Sequence, residues 1–187
     1  MITSIEKDAI IDLEKILQES IPEVYFINTF KFGFILKDGK VLTLGLPEKG
    51  LKTLPESIVQ LSFLQELLLF NNQLNTLPES FGDLKFLKFL NLVNNRLVKL
   101  PESFCKLRSL KILFMNQNKL QKLPTSFGDL TGLKRLNLRN NQLTSLPDSF
   151  SRLSNLEYLW IKNNPLDEKA HNILKQLKKQ GIILDIY

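Results

Sequence analysis

Leu64-Gln65-Glu66-Leu67-Leu68-Leu69-Phe70-Asn71-Asn72-Gln73-Leu74-Asn75-Thr76-Leu77-Pro78-Glu79-Ser80-Phe81 decides the fold, because the chain repeats it. The Leu77-Pro78 step also occurs as Leu54-Pro55, Leu100-Pro101, Leu123-Pro124 and Leu146-Pro147, always 23 residues apart. Leu64, Leu67, Leu69, Asn72 and Leu74 recur at the same offsets as far as Leu156, Leu159, Ile161, Asn164 and Leu166. Alternating leucines over so short a stretch describe a strand with one buried face. A unit this small cannot bury that face alone, so it must stack on copies of itself.

Working outward, the period extends one step towards the N-terminus. Val41, Leu44, Leu46 and Leu51 form a degenerate copy, with Lys49 in the place of the asparagine. The expected organisation is a single α/β domain: an N-terminal cap over 1–40, repeats over 41–166 and a C-terminal cap over 167–187. Thr3 followed by Glu6 is a capping-box pattern, and Ile5, Ala9, Leu13, Ile16 and Leu17 share a face of the helix it starts, which ends near Pro22. Phe30 to Leu36 reads as a strand, and Lys37-Asp38-Gly39-Lys40 as the turn of a hairpin. A three-residue loop with a bulge at Gly39 sets Phe30, Phe32 and Phe34 opposite Leu46, Leu44 and Leu42; this register is preferred because it buries the phenylalanines. Beyond Leu166, Asp167 and Glu168 begin a second helix with Ala170, Ile173, Leu174 and Leu177 on one face. Gly181 ends it, and Ile182-Ile183-Leu184 covers the final repeat.

The pattern Leu-x-x-Leu-x-Leu-x-x-Asn-x-Leu-x-x-Leu-Pro-x-Ser-Phe-x-x-Leu resembles the leucine-rich repeats of bacterial proteins and of Ras-binding scaffold proteins. That resemblance implies a right-handed horseshoe with a parallel sheet on the concave side and loops or short 3₁₀ turns on the convex side. It also implies a role in protein–protein interaction, with host proteins as partners if the source is a pathogenic bacterium. The residues agree with this picture. Asn72, Asn95, Asn118, Asn141 and Asn164 recur where the chain leaves each strand, as a buried amide ladder satisfying the backbone of adjoining turns. Ile58, Phe81, Phe104, Phe127 and Phe150 form a column on the convex side of the core.

Stacking dictates the core, so information about partners lies in positions the repeat leaves free. Strand alternation places three rows on the concave face. The first is Thr43, Glu66, Phe89, Ile112, Arg135 and Tyr158; the second is Gly45, Leu68, Asn91, Phe114, Asn137 and Trp160; the third is Pro47, Phe70, Val93, Asn116, Arg139 and Lys162. Leu68, Phe70, Phe89, Val93, Ile112 and Phe114 would make an apolar patch over the first half. Arg135, Arg139 and Lys162 would make a basic strip beside Tyr158 and Trp160. Apolar clusters that a fold does not require mark interaction sites. The competing readings are self-association and mutual covering, with the N-terminal hairpin folding over Leu68 and Phe70.

Other chemistries fare worse. The formal charge of +6 allows nucleic acid, a glycan or a lipid headgroup as a ligand of the basic, aromatic half, but Lys and Arg are scattered along the sequence and no nucleic-acid motif is present. His171 is the only histidine and lies far along the stack from Cys105, the only cysteine, so no nucleophile pair is expected. There is no phosphate loop and no metal-ligand spacing, so neither catalysis nor a cofactor is expected. Glu56, Glu79, Glu102 and Asp148 suit the exposed N–H groups of a short turn, and Ser57, Ser80, Ser103, Ser126 and Ser149 suit bonding within it. A lone cysteine and an N-terminus that reaches charge before any apolar run favour the cytoplasm; a signal peptide ahead of Met1 would instead mean secretion.

Overall fold

The structure is a computed structural model describing residues 2–25 and 32–185. Its spine is one sheet in sequence order: β1 (Gly33–Lys37), β2 (Lys40–Gly45), β3 (Glu66–Leu68), β4 (Phe89–Asn91), β5 (Ile112–Phe114), β6 (Arg135–Asn137), β7 (Tyr158–Trp160) and β8 (Ile183–Asp185). β1 and β2 are antiparallel, and every later pairing is parallel. Helices α1 (Ser4–Leu17) and α2 (Glu168–Lys179) stand at the two ends of this solenoid.

Each repeat's inward side chains are shut off from water, as Leu67, Leu90, Leu113, Leu136 and Leu159 are in the strands. The ladder works as a relay between repeats. Asn118 Nδ2 donates to the carbonyls of Leu92 (2.9 Å) and Met115 (3.2 Å), while its Oδ1 accepts the Leu97 N–H (3.0 Å). Asn95 and Asn141 do the same one repeat away. These amides satisfy carbonyls and N–H groups that no strand ladder reaches. In the degenerate copy, Lys49 supplies only its backbone N–H, to Asn72 Oδ1 at 3.0 Å.

The residue after the third outward row turns left-handed in every repeat: Glu48, Asn71, Asn94, Gln117, Asn140 and Asn163 have φ between 54° and 60°. Among residues with a side chain, asparagine is one of those that tolerate that region best. Four of the six positions carry it.

On the convex side the chain returns through short 3₁₀ turns, Glu56–Gln60, Phe81–Asp83, Glu102–Lys106, Phe127–Asp129 and Asp148–Arg152. Phe81 stacks on Phe104 with centroids 5.9 Å apart, and Phe127 on Phe150 at 5.8 Å. The glycines explain this pairing: a Cβ on Gly82 would meet the Ser103 carbonyl oxygen at 1.8 Å, and one on Gly128 the Ser149 carbonyl oxygen at 1.7 Å. Cys105 and Ser151 fill the same slot in the alternate repeats. Ser80, Ser103 and Ser149 bond between turns rather than within them, which corrects the expectation, and Ser57 donates to Asp12 of α1. Ser103 Oγ accepts the Gly82 N–H (3.3 Å), Ser149 Oγ accepts that of Gly128 (3.1 Å), and Ser80 Oγ donates to Glu56 (2.6 Å). Glu56 and Glu102 likewise reach forward, accepting the N–H of Glu79 and Thr125 in the next repeat.

The N-terminal cap departs from expectation in two ways. Asp38 (φ 51°) and Gly39 (φ 73°) make a two-residue turn, not a three-residue loop, and the extra residue is Leu42: Ile35 pairs with Thr43 but Leu36 with Val41. Two left-handed residues give the turn the twist that joins antiparallel strands. The bulge then shifts the register so that Phe34 opposes Leu44 and is buried. Phe32 is half-buried, and Phe30 lies outside the described residues. In α1 the buried face is Glu6, Ala9, Ile10 and Leu13, whereas Ile5 and Ile16 are exposed. Glu6 is drawn inward because its carboxylate accepts the Val41 N–H (3.2 Å) and the Thr3 hydroxyl (2.9 Å). At the other end, Asp167 caps α2 by accepting the Ala170 N–H at 2.7 Å, and Ala170, Ile173, Leu174 and Leu177 are buried as expected.

Candidate functional site

The strand register assembles the outward rows as the alternation requires. Thr43, Glu66, Phe89, Ile112, Arg135 and Tyr158 are successive partners, as are Gly45, Leu68, Asn91, Phe114, Asn137 and Trp160. The third row follows in register, with the Asn94 N–H on the Asn116 carbonyl and the Gln117 N–H on that of Arg139. β8 lengthens the face, setting Ile183 beside Tyr158 and Asp185 beside Trp160. The sequence reading missed both residues as parts of the face. Three residues with no repeat signature carry little sign of a strand, although Ile182-Ile183-Leu184 was the apolar run that marked it.

The apolar patch is smaller than expected. Leu68 is 4% exposed and Phe70 7%, so both are covered at the N-terminal end, although neither joins the continuous core formed by Leu67, Leu69 and their equivalents. Thr43 and Pro47 are buried with them. The chain entering β1 packs against this end of the sheet: the Phe34 N–H donates to the Pro22 carbonyl (3.0 Å), the Val24 N–H to that of Phe34 (2.8 Å), and Gly33 has no room for a Cβ beside Pro22 and Val24. What remains half-exposed in the first half is Phe89, Val93, Ile112 and Phe114. The Phe89 and Phe114 rings meet edge to face at 5.8 Å. Such pairs are worth about 0.5–1.5 kcal/mol beyond the area they bury.

The basic strip is also altered. Arg139 is engaged by the Asp185 carboxylate through both Nε and Nη2. Its charge is therefore compensated within the chain. Arg135 lies over the Tyr158 ring at 5.4 Å, and Tyr158 stacks on Trp160 at 5.8 Å and 11°. Lys162 is exposed at the edge of this cluster and Glu66 at the far end of the face. Asn91 and Asn137 turn inward on their own strand ends, accepting the N–H of Val93 and Arg139 at 3.1 Å. Asn116 is half-buried between Val93 and Arg139 in the third row.

Nucleophilic chemistry finds no footing in Cys105. It is 5% exposed, and burial, helped by the nearby Glu102 and Asp129 carboxylates, pushes its thiol up to about 12. His171 sits on α2 with Nδ1 2.7 Å from the Asp167 carbonyl. Among the described residues no three His, Cys, Asp or Glu are grouped to hold a metal ion, and no helix is long and apolar enough to cross a membrane.

The comparisons with known proteins match this geometry. The chain is similar to a leucine-rich-repeat protein of Leptospira interrogans: 33% identity, TM-score 0.54, over 72% of this chain and 40% of that one. The ectodomain of the plant membrane receptor kinase GASSHO1/SCHENGEN3 from Arabidopsis thaliana, solved in complex with CASPARIAN STRIP INTEGRITY FACTOR 2, is 30% identical with a TM-score of 0.57, over 61% of this chain and 14% of that one. Pollen Receptor Kinase 3 is 32% identical with a TM-score of 0.62, over 72% and 68%. The chain thus spans less than half the length of the first two. No curated protein sequence matches it. The description "Leucine-rich repeat region" matches residues 81–181, and "Leucine Rich Repeat" matches 63–84. With more than half its length matched, and with strands, ladder and convex turns in that arrangement, the chain belongs to the leucine-rich-repeat family.

Proposed function

We propose that the chain is a non-catalytic recognition module that takes an extended protein or peptide segment across its concave face, between the Phe89 and Phe114 pair and the Tyr158 and Trp160 stack. One observation carries this reading: apolar and aromatic side chains stay half-exposed on a face where the repeat demands none. Aromatic rings next to arginine are the groups that anchor interfaces. The Arabidopsis ectodomain, to which the chain is similar, is in complex with CASPARIAN STRIP INTEGRITY FACTOR 2, and this supports recognition as the use of such a fold.

The size of the face selects the ligand. Seven parallel strands about 4.8 Å apart, each presenting three alternate residues about 6.6 Å apart, give roughly 400 Å². A globular partner covers about 800 Å² per side. An extended segment fits, with Ile112 and Phe114 at its centre and Arg135 and Lys162 favouring acidic residues where it crosses the C-terminal repeats.

The test is selection of a displayed peptide library on the intact protein. Enriched peptides should lose binding to Phe114→Glu and to Trp160→Ala while both variants keep the native circular dichroism. Peptides that bind these variants as well as the parent would move recognition off the concave face.

A further inference from the structure

Stacking converts a scatter of charge along the sequence into a cluster. Each repeat leaves its strand and descends to the Leu-Pro step, and the descending segments 48–55, 71–78, 94–101, 117–124 and 140–147 contain one acid, Glu48, which lies in the first of them and accepts from Asn71 Nδ2. They also contain Lys49, Lys52, Arg96, Lys99, Lys119 and Lys122. Lys49 is held by Glu19 at 2.8 Å. The last four fall in two consecutive repeats. The Arg96 N–H donates to the Leu74 carbonyl and the Lys119 N–H to that of Leu97, both at 2.9 Å, so the two residues occupy the same place one repeat apart. The Gln121 N–H on the Val98 carbonyl brings Lys99 and Lys122 into the same relation. Neighbouring strands are about 4.8 Å apart, so four cations share a small flank. All four are exposed, and none takes part in an ion pair among the described residues. Glu102, beyond the Leu100-Pro101 step, is turned to the Thr125 N–H.

Beside this quartet lies a groove of about 580 Å³ lined by Gln121, Lys122, Gln142, Thr144, Ser145 and Pro165. Apart from Lys122 and Pro165 the side chains lining it carry amides and hydroxyls, and the five descending segments hold no aromatic residue. Single-stranded nucleic acid lacks a stacking platform here. Protein partners lack an aromatic anchor, Val98 being the exposed apolar side chain. Paired cations in adjacent repeats call for a ligand with more than one anion per short length, and the groove beside them calls for a neutral polar one.

We propose that this flank binds a densely sulfated polysaccharide, with Arg96, Lys99, Lys119 and Lys122 meeting its sulfates and the groove taking sugar hydroxyls. Lysine and arginine serve as charge donors, and Gln121, Gln142, Thr144 and Ser145 supply directional hydrogen bonds. The site is separate from the concave face and does not depend on it.

The test is calorimetric titration with a size-defined heparin oligosaccharide at about 150 mM salt, where weak surface attraction is screened. Parallel titrations use hyaluronan, poly-glutamate and a DNA duplex. Heparin should bind, and Lys99→Gln with Lys122→Gln should weaken it by roughly tenfold or more. Lys175→Gln with Lys178→Gln on α2 should leave it unchanged, as should Phe114→Glu. No heparin binding would overturn the proposal. Equal binding of DNA or poly-glutamate, or equal loss in the α2 variant, would overturn it too. Retained peptide binding by the Lys99 and Lys122 variant keeps this result distinct from the concave-face reading.

Discussion

Asp185 reaches back across β7 to clasp the guanidinium of Arg139, joining residues 46 apart in sequence. The pair is partly open to water, so it contributes at most about 1 kcal/mol. Its consequence is local. Asp185 also accepts the Ile161 N–H through its carbonyl at 3.0 Å, which holds β8 against β7. Asp185→Ala is expected to lower the melting temperature little while speeding amide exchange at Ile161 and Ile183 by several-fold. Unchanged exchange there would show that backbone pairing alone secures β8.

Trp160 is the chain's only tryptophan and lies half-buried on the concave face. A peptide spanning that face should change its emission saturably, with the same midpoint as calorimetry. Heparin bound at the flank should leave the emission unaltered. An emission change with heparin and none with peptide would reverse the two assignments.

Gly82→Ala should destabilise the fold by about 3 kcal/mol, at the upper end of what overpacking usually costs. The new Cβ would stand 1.8 Å from the Ser103 carbonyl oxygen, and backbone rather than a flexible side chain must give way. Gly181→Ala provides the contrast. It has φ 89° with nothing within 4 Å, so only its left-handed backbone resists, at about 1 kcal/mol. Urea unfolding of both variants measures the difference.

Asn118→Ala should cost about 1–3 kcal/mol, since it strands the buried Leu97 N–H, whereas the Leu92 and Met115 carbonyls each keep a second donor in Asn95 Nδ2 and Asn141 Nδ2. Asn118→Asp keeps the acceptor but turns a carboxylate on two carbonyls, and should fare no better. Asn164→Ala should be milder because that amide is only half-buried. Equal losses at the two positions would argue against solvent as the substitute partner.

Cys105 sets an alkaline limit. Its folded thiol lies at about 12 against an ordinary 9.0. Between these values the unfolded chain has released its proton and the folded chain has not, so stability is full below pH 9 and declines as pH rises towards 12. A native-state alkylation rate should therefore show no inflection near pH 9, whereas Cys105→Ala should flatten the loss of stability above it.

The repeat made the core legible because identical neighbours impose identical demands. Leu113, Asn118 and Phe104 are each explained by the residue 23 places away, which the sequence supplies. Three features escaped for the opposite reason. Leu68 and Phe70 match the outward template, yet they are buried at the end where the chain around Pro22 and Val24 meets the sheet. Arg139 reads as a free cation until β8, which has no repeat signature, brings Asp185 beside it. The hairpin register hung on one bulged residue, Leu42, and a single shift reverses every side chain. Lys99 and Lys122 were visible as charges, but only stacking makes them neighbours.

The close approaches of Gly82 to Ser103 and of Gly128 to Ser149 come in alternate repeats, as do the stacked rings. Growth or shortening of this array therefore has a grain. Splicing in 46 residues, cut within the segment between Cys105 and Gly128, would preserve the alternation of tight and loose junctions. Splicing in 23 would set two like junctions side by side and shift the phase of every convex turn that follows.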